Sequence, residues 1–144
     1  FGGDRMSTTM IQICVLVEDA TEYSQADITY VEKKRWVDEI AVPGGELWIL
    51  DNLIMVAESK AIPSSYGKFD FYVDDILITT VNGPTSSTYQ AFEHRQTPPT
   101  NMIMLKEGSY DCSLEMKVNS NAGKTAYIKN FKMYLTFKRY QGEI

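Results

Sequence analysis

The chain has 144 residues, 44% of them apolar and 23% charged, which excludes a disordered tract and suits one folded domain with a buried core. Its net charge is −5, and apart from Lys33-Lys34-Arg35 the basic residues are scattered, so phosphate backbones and anionic lipid are repelled and nucleic acid is not an expected partner. The longest apolar runs, Ile13 to Val17 and Leu53 to Ala57, fall far short of the roughly 20 residues a spanning helix needs, so membrane insertion is not expected either.

Phe1 to Thr9 is small, polar and glycine-bearing, and reads as a flexible arm ahead of one β domain over 10–144. The opening Phe1 is open to several readings: a removed leader, a larger precursor, or Met6 as the natural start. Met10 to Val17 is a strand with apolar residues on both faces except at Gln12, as expected of a strand buried on both sides or covered by a neighbouring subunit. Glu18 to Ser24 reads as an acidic loop, Ala26 to Val31 as a short strand, Glu32 to Arg35 as a charged turn, and Trp36 to Val42 as a strand stopped by Pro43-Gly44-Gly45. Glu46 to Glu58 fits a strand kinked near Asp51-Asn52, with a short helix as the alternative.

Ser59 to Gly67 reads as a loop. Two apolar runs, Phe69 to Val73 and Ile76 to Thr80, flank Asp74-Asp75, which predicts a two-residue hairpin or one bent strand. Asn82 to Thr100 is the longest irregular segment, and loops of that length are usually functional or mobile. Met102 to Leu105, Tyr110 to Val118 and the terminal run from Lys124 to Lys138 complete the strands. In that last run Ala126 and Ile128 are out of phase with Phe131, Met133, Leu135 and Phe137, which predicts a bulge near Lys129-Asn130 or a change of sheet. Eight or nine strands with turn residues between them predict an all-β, antiparallel two-sheet sandwich, jelly-roll-like, with Trp36, Trp48 and Phe131 in its core.

The chemistry-bearing residues are sparse. Gly123-Lys124-Thr125 ends like a phosphate loop, but Val118 stands where the first glycine belongs and a strand follows in place of a helix. His94 is the lone histidine, and one His with two Cys makes no convincing zinc site. The acids at Asp70, Asp74 and Asp75 and at Asp38, Glu39 and Asp51 could hold calcium, but read first as solvated turn residues. Cys14 and Cys112 read as two buried thiols, with one disulfide as the alternative, although Cys14 shares the parity of Gln12. No catalytic set and no cofactor is expected. The partner-binding candidates are Phe1 in the arm and Tyr66, Tyr89, Phe92, His94 and Arg95 in or beside loops, where exposed rings can anchor a protein or stack on a sugar.

The segment Trp36-Val-Asp-Glu-Ile-Ala-Val-Pro-Gly-Gly-Glu-Leu-Trp-Ile-Leu50 resembles the strand–turn–strand of small jelly-roll domains in decoration, turret and fibre-head proteins of phages and archaeal viruses, and Tyr127 to Tyr134 resembles their closing strand. The resemblance implies a non-enzymatic structural or adhesive role, in a virion or another extracellular assembly. Self-association through sheet edges and the arm is then expected, with a homo-oligomer or other assembly proteins as partners. A carbohydrate-binding module using Tyr66, Tyr89 and Phe92 is the alternative, with a glycan as partner, and a secreted filament subunit is the next.

Overall fold

The computed structural model describes residues 9–119 and 123–141. The arm with Phe1, residues 120–122 and residues 142–144 lie outside the described residues. Ten strands follow one another: β1 (Thr9–Asp19), β2 (Tyr23–Gln25), β3 (Val31–Val42), β4 (Glu46–Ile62), β5 (Gly67–Val73), β6 (Ile76–Asn82), β7 (Gln90–Gln96), β8 (Met104–Leu105), β9 (Gly108–Val118) and β10 (Thr125–Gln141). No helix occurs among the described residues, so none is long and apolar enough to cross a membrane.

One sheet runs β1-β10-β4-β7, with β2 added to β10 and β8 to β4; the other runs β3-β9-β5-β6. All pairings are antiparallel. Setting aside the short β2 and β8, the first, eighth, third and sixth strands share one sheet, and the second, seventh, fourth and fifth share the other. Neighbours far apart in sequence are thereby joined in a double-sheet jelly roll. The inner rows meet in a core that includes Trp36, Leu53, Met55, Phe69, Phe71, Leu114, Phe131 and Phe137.

Alternation explains the long strands. On β4 the buried residues Leu53, Met55, Ala57, Ser59 and Ala61 alternate with half-buried Ile54, Val56, Glu58 and Lys60. Two slips keep the apolar row facing inward. Lys129 pairs with Glu58 and Lys132 with Val56, so an extra residue bulges from β10 at Asn130, whose φ is 52°. The register shifts again between Thr136 and Phe137, opposite Asp51, where the kink is expected. The hairpin at Asp74-Asp75 forms with both residues left-handed (φ 53° and 59°), the backbone a two-residue turn of this hand requires.

Five expectations are corrected. The second strand is not Ala26 to Val31 but Tyr23–Gln25, and the charged run 32–35 is not a turn but part of β3. The run tolerates an extended form because Lys34 and Arg35 find partners: Arg35 reaches Glu32 (2.9 Å), Asp75 (2.9 Å) and Asp111 (3.1 Å), and Lys34 reaches Asp19 (3.7 Å). The expected loop from Ser59 begins only after Ile62, because the first residues of β10, Thr125 to Ile128, pair with this end of β4 and the Ser59 hydroxyl donates to the Tyr127 carbonyl (2.7 Å). The long segment 82–100 contains β7, whose polar composition hid its strand character. Finally, Cys112 is buried but Cys14 is exposed, and both are free thiols.

The Arg35 cluster yields a pH prediction. The Asp111 carboxylate accepts the Asp38 backbone N–H (2.9 Å) and the Arg35 guanidinium, which together hold its pKa below the ordinary carboxylate value of 3.8. A carboxylate whose folded pKa is depressed stabilises the fold above its unfolded pKa, and that contribution fades as pH falls through the folded value. The urea midpoint of the wild type should therefore drop more steeply below about pH 4 than that of Asp111→Asn, which lacks this proton linkage. Equal acid slopes for the two would refute the assignment.

Candidate functional site

The expected binding residues do not converge. Tyr66 lies half-buried in the connection between β4 and β5, where its carbonyl accepts the Asn119 N–H (3.0 Å). Phe92, His94 and Arg95 are not on a loop but on β7, an edge strand, and its alternation separates them. Phe92 lies opposite buried Ala57, packs against the core, and stacks on Phe69 (6.1 Å between centroids, 23° between planes). His94 lies opposite buried Met55, with its Nε2 3.1 Å from the Gln96 Oε1. Arg95 faces the other way, exposed and paired with Glu93 (2.5 Å).

Phe92 and His94 open onto a cleft of about 570 Å³ where β7 of one sheet faces β6 of the other. Its further lining comes from Lys68, Thr80, Asn82 and Glu93, with Gly83 and Pro84 at one end. No serine or cysteine is among the lining residues, and the hydrogen bond of His94 goes to an amide. The groove is open and of mixed polarity, and the one hydroxyl in its lining, that of Thr80, donates to Asp70 (2.7 Å).

Tyr89 occupies a different surface. Its ring lies under Lys129 (4.1 Å) and Lys60 (4.6 Å), and Lys60 also covers Tyr127 (4.9 Å). Its hydroxyl donates to the Glu22 carboxylate, and partial burial together with that acid pushes its pKa upward. Both lysines belong to the outward rows of β4 and β10, so Tyr89 sits over the outside of the sheet whereas Phe92 points into the sandwich. Tyr66, Tyr89 and Phe92 therefore form no common platform. The partners Glu22, Lys60, and Tyr127 with Lys129 come from three separate stretches of sequence.

Asp70 is also placed unexpectedly. It is buried on β5, apart from the hairpin acids, and accepts the Thr80 hydroxyl (2.7 Å). The neighbouring Tyr72 donates to Glu115 (3.3 Å), and its pKa is raised to about 12, first by burial and then by Glu115 and Asp70.

Strand β1 carries three of the exposed large apolar side chains. It pairs with β10 without any register shift over all eleven residues, and its other side has no strand beside it among the described residues. Its side chains are exposed on both faces: Met10 (46%) and Leu16 (37%) on the outer face, Ile11 (40%) on the inner. Its two-sided apolar pattern is not explained by burial on both faces within this chain, since residues on each face are exposed.

No family model matches the chain, and no curated protein does. Several solved structures are similar to it. Dimeric latent PorU from Porphyromonas gingivalis is 12% identical with a TM-score of 0.47; the match covers 90% of this chain and 13% of that one. The CBM36-1 domain of a multidomain xylanase from the hindgut metagenome of Trinervitermes trinervoides is 8% identical with a TM-score of 0.47, covering 89% and 96%. The protein of infectious bursal virus derived T=1 particles is 11% identical with a TM-score of 0.48, covering 94% and 36%. The fold defines the class: a jelly-roll β-sandwich with β1 and β3 among its edge strands.

Proposed function

We propose that this chain is a non-catalytic structural module of an extracellular assembly, with a virion shell or fibre as the setting, joined to its neighbours through sheet edges. One observation carries the reading: β1 is an eleven-residue edge strand with apolar side chains exposed on both faces. A domain that works alone covers or guards such an edge, because its unpaired backbone and apolar rows recruit other chains. The glycan reading has less support, since its three aromatics point to different surfaces and lysines cover the Tyr89 ring.

Light scattering across a dilution series tests the proposal. The expected result is a large, uniform assembly that shrinks on dilution. A monomer at the highest attainable concentration would overturn it, and glycan-array binding that Tyr89→Ala abolishes would transfer the case to the carbohydrate module.

A further inference from the structure

We infer that the partner at the β1 edge is a second copy of this chain, joined by antiparallel β1–β1 pairing about a two-fold axis at Ile13. The inference rests on the assembly reading above and names its contact.

The four sheet edges differ in how they are guarded. Natural edges are blunted by charged side chains, bulges, short length or proline. Strand β3 has Lys33, Lys34 and Arg35 and two register shifts, with Asp38 left-handed at φ 54°. Strand β6 is seven residues long and meets a register shift between Phe71 and Tyr72 of its partner. Strand β7 is also seven residues long and has Glu93, His94 and Arg95 in succession. Strand β1 has none of these: eleven residues, regular pairing to β10, no proline, no basic residue, and acids only at Glu18 and Asp19. That end is already engaged, because the Trp36 indole N–H donates to the Glu18 carbonyl (3.1 Å). The open stretch is Thr9 to Val17, and its midpoint is Ile13.

The side chains select both the partner and the register. With the axis at Ile13, Met10 of one copy faces Leu16 of the other, Ile11 faces Val15, and Gln12 faces Cys14. Every pair keeps its residues on one face of the joined sheet, because cross-strand partners share a side. The exposed Met10, Ile11 and Leu16 all gain apolar neighbours. Glu18 and Asp19 fall outside the paired span, at opposite ends of the ribbon. Moving the axis to Cys14 would set Met10 against Glu18 and Thr9 against Asp19; moving it to Gln12 would leave Leu16 beyond the open stretch of its partner. Parallel pairing would bring the two acidic ends together. The product is one continuous eight-stranded sheet, β7-β4-β10-β1 from each copy, closed by symmetry so that the β1 edge disappears.

Thiol cross-linking reads the register. In this dimer Cys14 faces Gln12 of the other copy, and the two Cys14 side chains lie diagonally, too far apart for an unstrained disulfide. Gln12 is exposed, so Gln12→Cys leaves the fold intact and places a thiol directly across from Cys14; Cys112 is buried and silent. Diamide takes two electrons and two protons from each thiol pair, and the linked dimer is counted on a non-reducing gel. Gln12→Cys should link faster than the wild type by at least an order of magnitude, and Gln12→Cys/Cys14→Ser should be as slow as the wild type. Fast linking of the wild type would put the axis at Cys14, and fast linking of the double variant would put it at Gln12 or mean unregistered collision; each overturns the inference, as does a Gln12→Cys protein that stays unlinked. If light scattering still shows large assemblies in that last case, the β1 pairing falls and the assembly reading stands. If it shows monomers, both fall.

Discussion

Phe131→Ala is expected to lower the unfolding free energy by about 3–5 kcal/mol, a large share of the total stability of a domain this size. Phe131 is 1% exposed and completes an aromatic trio, with its ring 5.6 Å from Trp36 and 5.7 Å from Phe71. Trp36 and Phe71 come from the second sheet and Phe131 from the first, so the trio spans the interior of the sandwich. Truncation removes the transfer free energy of the ring and leaves a hole between two sheets that are each held in register by their own ladders and collapse only in part. Phe131 also follows the Asn130 bulge, which returns the apolar row of β10 to the inside. Tyr134→Ala, on the outward row of the same strand, serves as the comparison and should cost far less. Urea denaturation of both variants decides the matter, and equal losses would show that the trio is not the centre of the core.

Gly67→Ala is expected to destabilise the fold by about 1–3 kcal/mol, although it adds a single methyl group. A Cβ at this position would lie 2.8 Å from the Phe69 ring tip and 3.1 Å from the Ala126 Cβ. The ring has nowhere to retreat, since the other side of Phe69 meets Gly83, where a Cβ would stand 3.1 Å away, and Phe92 stacks on it. The two glycines are the space that Phe69 fills. Combining Gly67→Ala with Phe69→Leu should recover part of the loss, since the two sites share one volume and their effects cannot add. Additive losses in thermal or urea melts would show that the methyl group fits without displacing the ring.

The same comparison shows which features were legible in the residues. The bulge at Asn130 was readable because a single extra residue shifts an otherwise regular apolar row, and the hairpin at Asp74-Asp75 because two turn-forming residues separate two apolar runs. Strand β7 was not readable. Its inward residues are Gln90, Phe92, His94 and Gln96, and an edge strand over a groove of mixed polarity carries no apolar row to betray it. The charged start of β3 failed in the opposite direction: it looks like a solvated turn until Asp19 arrives at Lys34, and Asp75 and Asp111 at Arg35, from elsewhere in the chain.

The binding candidates divide in the same way. That Tyr89 carries a binding-capable ring follows from its chemistry; that Lys60, Lys129 and Glu22 surround it depends on three other segments meeting there. Local periodicity alone determined that the chain is β-structured, which residues face inward, and that Met10 to Val17 has two apolar faces, because side-chain alternation is a property of neighbouring residues. Tertiary structure decided which strands are edges. Pairing in a jelly roll joins strands more than a hundred residues apart, as β1 and β10 are, and no local pattern records which side of a strand is left without a partner.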